Sequence, residues 1–306
     1  MAIAVTWIQG VLRVGTGSSG SPRVYVDQQA GWSREDFPQA LVESLIQAKA
    51  PAGEVYLGTD SPLVVPLVEE IPPATPAIAT KLLQKRAEKA AVFAEPVFVG
   101  ATPIPGSVGA GLSRYLLQVA PAAWVKAVDT ALATRGYQLA GLFPAALALQ
   151  SALQSVATPK EEVILLAAEA ENGLLQVVGR SDGAILFYRT LPGAEERGPA
   201  EVLRELRRLA LYAEQRLGFK VKQVFFSGTM TGSLMEAVEG AEDLTVAAGP
   251  AVSPLIYLRQ LFQARARQSD NVVPRQIAMR TQIRRWKFFS GVISLGLLVL
   301  SILWFS

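Results

Sequence analysis

The chain carries residues for very few kinds of chemistry. Its 306 amino acids include no cysteine and no histidine. That removes thiolate nucleophiles, Ser-His and Cys-His devices, disulfides and most zinc sites, and no metal site is expected. Carboxylates, glycine-bearing turns and basic clusters remain. Gly15-Thr16-Gly17-Ser18-Ser19-Gly20 is a loose glycine-rich run. No Gly-Lys-Ser/Thr follows it, so it reads as a hairpin turn and not a phosphate loop. Glu169-Ala170-Glu171-Asn172-Gly173 gathers two carboxylates and a glycine in one turn. Asn271-Val272-Val273-Pro274 sets two adjacent valines into a polar stretch with no evident core of its own. The net charge of +3 is too weak to argue for nucleic acid.

The elements around these stretches follow a duplicated plan. Ala2–Ile8, Val11–Gly15 and Arg23–Val26 are short apolar runs separated by turn residues, which predicts three strands. A helical pattern over Arg34–Lys49 follows, with Ser33 placed to cap it and Asp36 three residues on. A strand, Glu54–Leu57, ends at Gly58. The same order recurs from Val163: strands Val163–Ala168, Leu174–Val178 and Ile185–Arg189, then a helix over Ala200–Leu217, then a strand over Gln223–Phe226. In that helix Val202, Leu203, Leu206, Leu209, Ala210, Ala213 and Leu217 line one face, and Gly218 is the expected stop. Between the copies, Pro76–Ala91 and Ala122–Arg135 read as helices and Val97–Ala101 and Arg114–Val119 as strands. Gly136 stops the second of these helices, and Pro144–Val156, rich in Ala and Leu, reads as a buried helix. The reading is an α/β chain in two related lobes. The first covers residues 1–157, with an inserted subdomain at about 65–135, and the second covers 158–264.

Residues 265–287 read as a linker and a basic segment. Phe288–Phe305 is an uncharged apolar run flanked by Trp286 and Trp304. As a helix it would extend ~27 Å, close to the hydrocarbon thickness of a bilayer. Arg280, Arg284, Arg285 and Lys287 precede it, which places residues 1–287 on the cytoplasmic side of a membrane by the positive-inside rule. Ser290, Ser294 and Ser301 fall near one helical face beside Gly291, which suits self-association of such a span and a homo-oligomer.

Several stretches together carry a family resemblance. Val65-Pro66-Leu67-Val68-Glu69-Glu70-Ile71-Pro72-Pro73, Ala120–Leu153 and Lys222–Val238 resemble, in this order, segments of the actin-like type IV pilus assembly proteins of the PilM type and of their type II secretion relatives of the GspL type. The resemblance implies an actin-like (ribonuclease H-like) duplicated fold. Asn271–Pro274, followed by basic residues and the apolar run, resembles the N-terminal tail of PilN-type proteins, where an Asn-Leu-Leu-Pro motif docks onto the actin-like partner. Here tail and partner would share one chain. Pro274 favours an extended Val273, which suits a groove or a sheet edge.

In an actin-like ATPase, two glycine-bearing hairpins approach the phosphates and a glycine turn lies beside the adenosine. Aligned on that pattern, Ala4 stands where the first hairpin has an acid and Thr6 where it has glycine. In the second hairpin Glu169 keeps an acid, Glu171 replaces a glycine, and Gly173 follows. Ser227-Gly228 keeps one glycine of the third turn. A carboxylate 4 Å from a phosphate charge costs about 4 kcal/mol at an intermediate dielectric. The expectation is a degenerate nucleotide site with no cofactor and no catalysis. The resemblance implies an assembly-platform scaffold that meets other platform proteins, an assembly ATPase and the bilayer. Two alternatives are an actin-like protein that binds or hydrolyses ATP, and a membrane-anchored binding module unrelated to pili.

Overall fold

The computed structural model describes residues 2–16, 23–27, 32–60, 62–105, 111–159, 162–170, 173–193, 196–238, 244–253, 258, 259, 261, 271–274 and 277. Two five-stranded sheets have the same topology. The first is built from β1 (Ala2–Ile8), β2 (Val11–Thr16), β3 (Arg23–Asp27), β4 (Glu54–Thr59) and β8 (Gln138–Pro144), in the order β3-β2-β1-β4-β8. The second holds β9 (Val163–Ala170), β10 (Gly173–Arg180), β11 (Ile185–Pro192), β12 (Gln223–Ser227) and β13 (Thr245–Ala248), in the order β11-β10-β9-β12-β13. In each, three strands form an antiparallel meander and the last two run parallel to the first. A helix makes the crossover after each meander: α1 (Phe37–Gln47) in one lobe and α5 (Pro199–Leu217) in the other.

The first crossover helix starts one turn later than its periodicity predicts. The Ser33 hydroxyl accepts the Asp36 N–H at 3.1 Å and donates to the Asp36 carboxylate at 2.6 Å. These bonds hold residues 34–36 as a turn, and the helix begins at Phe37 with Pro38 in its first turn. The α5 helix follows its pattern closely. Val202, Leu203, Leu206, Leu209, Ala213 and Leu217 are buried, and Gly218 ends the helix at φ 70°. The Gly218 N–H donates to Glu214 O and the Phe219 N–H to Ala213 O, both at 3.1 Å.

The insert is a small layer of its own. Strands β5 (Val65–Ile71), β6 (Val97–Pro103) and β7 (Ser113–Pro121) pair antiparallel in the order β5-β7-β6. Helix α2 (Pro76–Lys89) covers them with Ala79, Leu83 and Ala87. The next helix, α3 (Ala122–Ala133), packs Trp124, Val125, Val128 and Leu132 into the first-lobe core. Arg114 ties the insert to the second lobe. It pairs with Glu70 at 2.7 Å, donates to Leu217 O, and lies 6.0 Å from the Phe219 ring centroid.

Two segments differ from expectation. Residues 138–144 are a strand, β8, where the periodicity shows only the gap between two helices. Pro144–Val156 is not one helix: Ala145–Leu149 is a 3₁₀ turn and α4 (Gln150–Ser155) follows it. Pro144 ends the strand, and the small residues Ala145, Ala146 and Ala148 are buried where the chain passes between the lobes. Among the described residues no helix is long and apolar enough to cross a membrane. The run expected to do so, 288–305, lies outside them, as do Arg280, Arg284, Arg285 and Lys287.

Gly218→Ala tests the α5 stop. A Cβ in the left-handed conformation is expected to cost about 1 kcal/mol, read as a lower denaturant midpoint at unchanged slope. An unchanged midpoint would show that the stop carries no such demand.

Candidate functional site

β8 is the outermost strand of its sheet among the described residues, and all seven of its residues are buried. Its inner edge pairs with β4. Its outer edge is met by the segment Asn271–Pro274. The Asn271 side-chain oxygen accepts the Leu142 N–H at 3.0 Å and the Val273 N–H at 2.9 Å. The Asn271 amide nitrogen donates to Ala140 O at 2.9 Å. The Val272 N–H donates to Leu142 O at 3.1 Å. Asparagine suits this position because one planar amide supplies both an acceptor and a donor to the strand edge. Aspartate would lack the donor.

The valines are anchors. Val272 is 1% exposed and Val273 4%, within the core cluster that holds Trp124, Val128 and Leu142. Burying a valine stabilises by roughly 1.5–3 kcal/mol before the cost of ordering the segment. Beyond Pro274, the Ile277 N–H donates to Pro274 O at 2.9 Å and Gln138 donates to Ile277 O at 3.0 Å. The contact therefore reaches the start of β8.

The positions aligned with a nucleotide site have other neighbours. Ala4 is fully buried in a cluster with Tyr56, Ala140, Phe143, Leu258 and Leu261. A carboxylate in its place would sit among apolar groups. Thr6 is also buried. Gly173 opens β10, and a Cβ there would fall 2.6 Å from Gln9 Cδ. The two hairpins thus touch directly. Ser227 ends β12 and Gly228 follows. A Cβ on Gly228 would fall 2.2 Å from Glu169 Cδ. Glu171 lies outside the described residues, as do Ser290, Ser294 and Ser301.

Glu169 links the second hairpin to the third turn. Its carboxylate accepts the Thr229 N–H at 2.7 Å and the Met230 N–H at 3.1 Å, with the Thr229 hydroxyl at 3.1 Å. These N–H groups precede helix α6 (Thr231–Val238), so an internal carboxylate takes donors that an anion at this turn would use. Sequence spacing gives no sign of this, because the partners are 60 residues apart.

Asp60, just past β4, has no counterpart among the expected site residues. It accepts the Gln9 backbone N–H at 3.0 Å and the Gln9 side-chain amide at 2.5 Å. Those bonds hold the Gln9-Gly10 turn, where Gln9 takes φ 48° and Gly10 φ 79°. Such a primed hairpin turn needs positive φ at both central residues, which glutamine adopts at a cost. Burial pushes the Asp60 carboxyl above the ordinary carboxylate range, and the bonds from Gln9 offset part of that.

Two lobes of one topology, joined by a buried crossover and carrying a three-stranded insert on the first, define the actin-like fold. Solved structures match along nearly the whole chain. One is a PilM–PilN type IV pilus biogenesis complex, at 15% identity and TM-score 0.61, covering 91% of this chain and 98% of that one. Another is the cytoplasmic domain of EpsL, an inner-membrane component of the type II secretion system of Vibrio cholerae. It matches at 14% identity and TM-score 0.52, covering 90% and 99%. A Bacteroides thetaiotaomicron protein with an actin-like ATPase fold and unknown function matches at 9% and 0.50, covering 86% and 95%. At these identities the likeness is one of fold. No protein-family model and no curated protein matches the sequence.

Two substitutions test this region. Glu169→Ala strands two N–H groups and is expected to cost about 1–3 kcal/mol in denaturant unfolding. A neutral effect would mean that water replaces the carboxylate freely. Asp60→Asn addresses pH. A carboxyl whose folded pKa lies above its unfolded one binds more protons in the folded state. Stability therefore falls as pH rises from the ordinary carboxylate value through the raised one. The substitution is expected to flatten that fall above the ordinary carboxylate value, near pH 4, and to leave neutral-pH stability at or above the parent's. A clear loss at neutral pH would contradict it.

Proposed function

We propose that the chain is a non-catalytic scaffold of the inner-membrane assembly platform of a type IV pilus or a type II secretion-like machine. The observation that carries this reading is Asn271–Pro274 seated on the outer edge of β8. A PilN-like tail held by a PilM-like body would combine in one chain what the matched pilus complex makes from two. In this reading Phe288–Phe305 spans the membrane and Arg280, Arg284, Arg285 and Lys287 face the cytoplasmic headgroups. The body meets other platform proteins and an assembly ATPase. Ser290, Ser294 and Ser301 favour pairing of spans, and nucleic acid has no part.

The bonds from Glu169 to Thr229 and Met230 support a body that works without nucleotide. The ATP-dependent alternative would need that carboxylate displaced and the contact between Gln9 and Gly173 opened.

The test replaces the chain in its own bacterium with a Val272→Ser, Val273→Ser double variant. The expected result is loss of pilus assembly or secretion. Hydrogen exchange at residues 272 and 273 should accelerate, and the body should remain folded. Full assembly with the double variant would remove the tail from the mechanism. In parallel, the intact protein is expected to show no saturable, Mg²⁺-dependent ATP binding in calorimetry. Micromolar binding would favour the alternative. Genes for a pilin, an assembly ATPase and a secretin beside this one would support the platform over an unrelated anchored module.

A further inference from the structure

A cleft of about 770 Å³ opens where the first lobe, the insert and the second lobe meet. Trp7, Trp32 and Asp60 line it from the first lobe, Val65 from the insert, and Tyr188 and Arg189 from β11. The positions aligned with a nucleotide site are not among its lining residues. The cleft is therefore separate from the contact between Glu169 and the Thr229 turn, and it does not depend on which machine the chain serves.

Its charges do not balance. Arg34 is paired with Glu95 at 2.5 Å. Arg189 is paired with Glu205 at 3.2 Å and donates to Gln176 at 2.6 Å. Both cations thus have counter-charges. Asp60 receives two hydrogen bonds from the neutral Gln9 and has no ion-pair partner among the described residues. A half-buried carboxylate without a cation is costly, and burial raises its pKa accordingly. Two residues of the lining also hold buried polar atoms that have no partner among the described residues and are closed off from solvent: the Trp7 indole N–H and the Tyr188 hydroxyl. Trp7 is 8% exposed and Tyr188 5%. The hydroxyl stays neutral, because burial drives its pKa far up.

An uncompensated negative charge and aromatic walls describe the complement of a cationic side chain. The ammonium or guanidinium would face Asp60 and the aromatic rings. The volume lies high in the ~300–1,000 Å³ range of single-ligand pockets, so several residues fit. We propose that this cleft receives a lysine or arginine side chain carried on an extended, otherwise apolar segment of a partner protein, with Asp60 as its counter-charge.

The experiment is calorimetric titration of the intact protein in phosphatidylcholine nanodiscs, a neutral lipid that does not hold basic peptides electrostatically. The probe is acetyl-Leu-Arg-Leu-amide, compared with its norleucine analogue and with free arginine amide. The arginine peptide is expected to bind, and both the norleucine exchange and Asp60→Asn to weaken it about tenfold or more. No binding of the arginine peptide at millimolar concentration would overturn the proposal. So would equal binding of the norleucine peptide, which leaves the protein untouched and so is independent of folding. Free arginine amide binding as tightly as the peptide would assign the cleft to a small amine and overturn the peptide reading.

Discussion

An edge strand buried on both faces is the constraint on which this structure depends. β8 contributes side chains to the core on each side of its sheet, so it cannot move outward to find water. Its outer N–H and C=O groups must still be bonded, because an unpaired buried backbone group costs as much as a lost hydrogen bond. An uncovered edge is also a template for association with another chain. Asn271 and Val272 answer both demands. The side-chain amide of Asn271 bonds Ala140 O and the Leu142 N–H, and the Val272 N–H takes Leu142 O. The segment behaves as a short substitute strand, with a side-chain amide doing the work of a peptide unit.

The second lobe solves the matching problem in another way. Its counterpart of β8 is β13, a strand of four residues that are exposed or half-buried. A short, wetted edge needs no cover. The duplicated topology therefore holds two edges of different character, and the tail sits on the one that is long and dry. A similar internal answer appears at the Thr229 turn, where Glu169 supplies the anion. Both contacts join parts of the chain far apart in sequence and replace a bond that would otherwise go to solvent or to another molecule.

What the sequence revealed follows from these facts. Elements with one wet face were legible. The α5 stripe alternates clearly with Arg204, Arg207 and Arg208, and Gly218 marks its end. The meander Val163–Arg189 is cut by turn residues at its bends. β8 was not legible, because Gln138–Pro144 is buried throughout and has no polar alternation to give a period of two. It lies between the stop at Gly136 and the proline at 144, where periodicity shows only a gap. The valines of 272–273 stood out for a simple reason: they are apolar residues in a polar stretch. Their partner strand could not be found by the same means. Asp60 gave no signal at all, since a lone aspartate after a strand is an ordinary turn residue. Only its pairing with Gln9, 51 positions away, gives it meaning.

The tail contact also limits where the body can stand under the proposed topology. Ten residues, 278–287, lie between Ile277, the last described residue on the lobe, and Phe288, the first of the apolar run, so eleven residue-to-residue steps join them. Fully extended they reach about 36–40 Å, and as a helix about 16 Å. With the tail seated, the first lobe would be held within that distance of the bilayer. Docking within one chain gains from that short tether, which gives roughly millimolar effective concentration. Valine in place of leucine at two positions loses roughly 0.8 kcal/mol per missing buried CH₂. The tether makes such a loss tolerable, since each 1.4 kcal/mol is only tenfold in occupancy. A two-chain complex at low concentration has no such allowance. Carrying the segment on the same chain as the lobe therefore relaxes the demand on its apolar area while keeping the asparagine, whose three bonds depend on geometry.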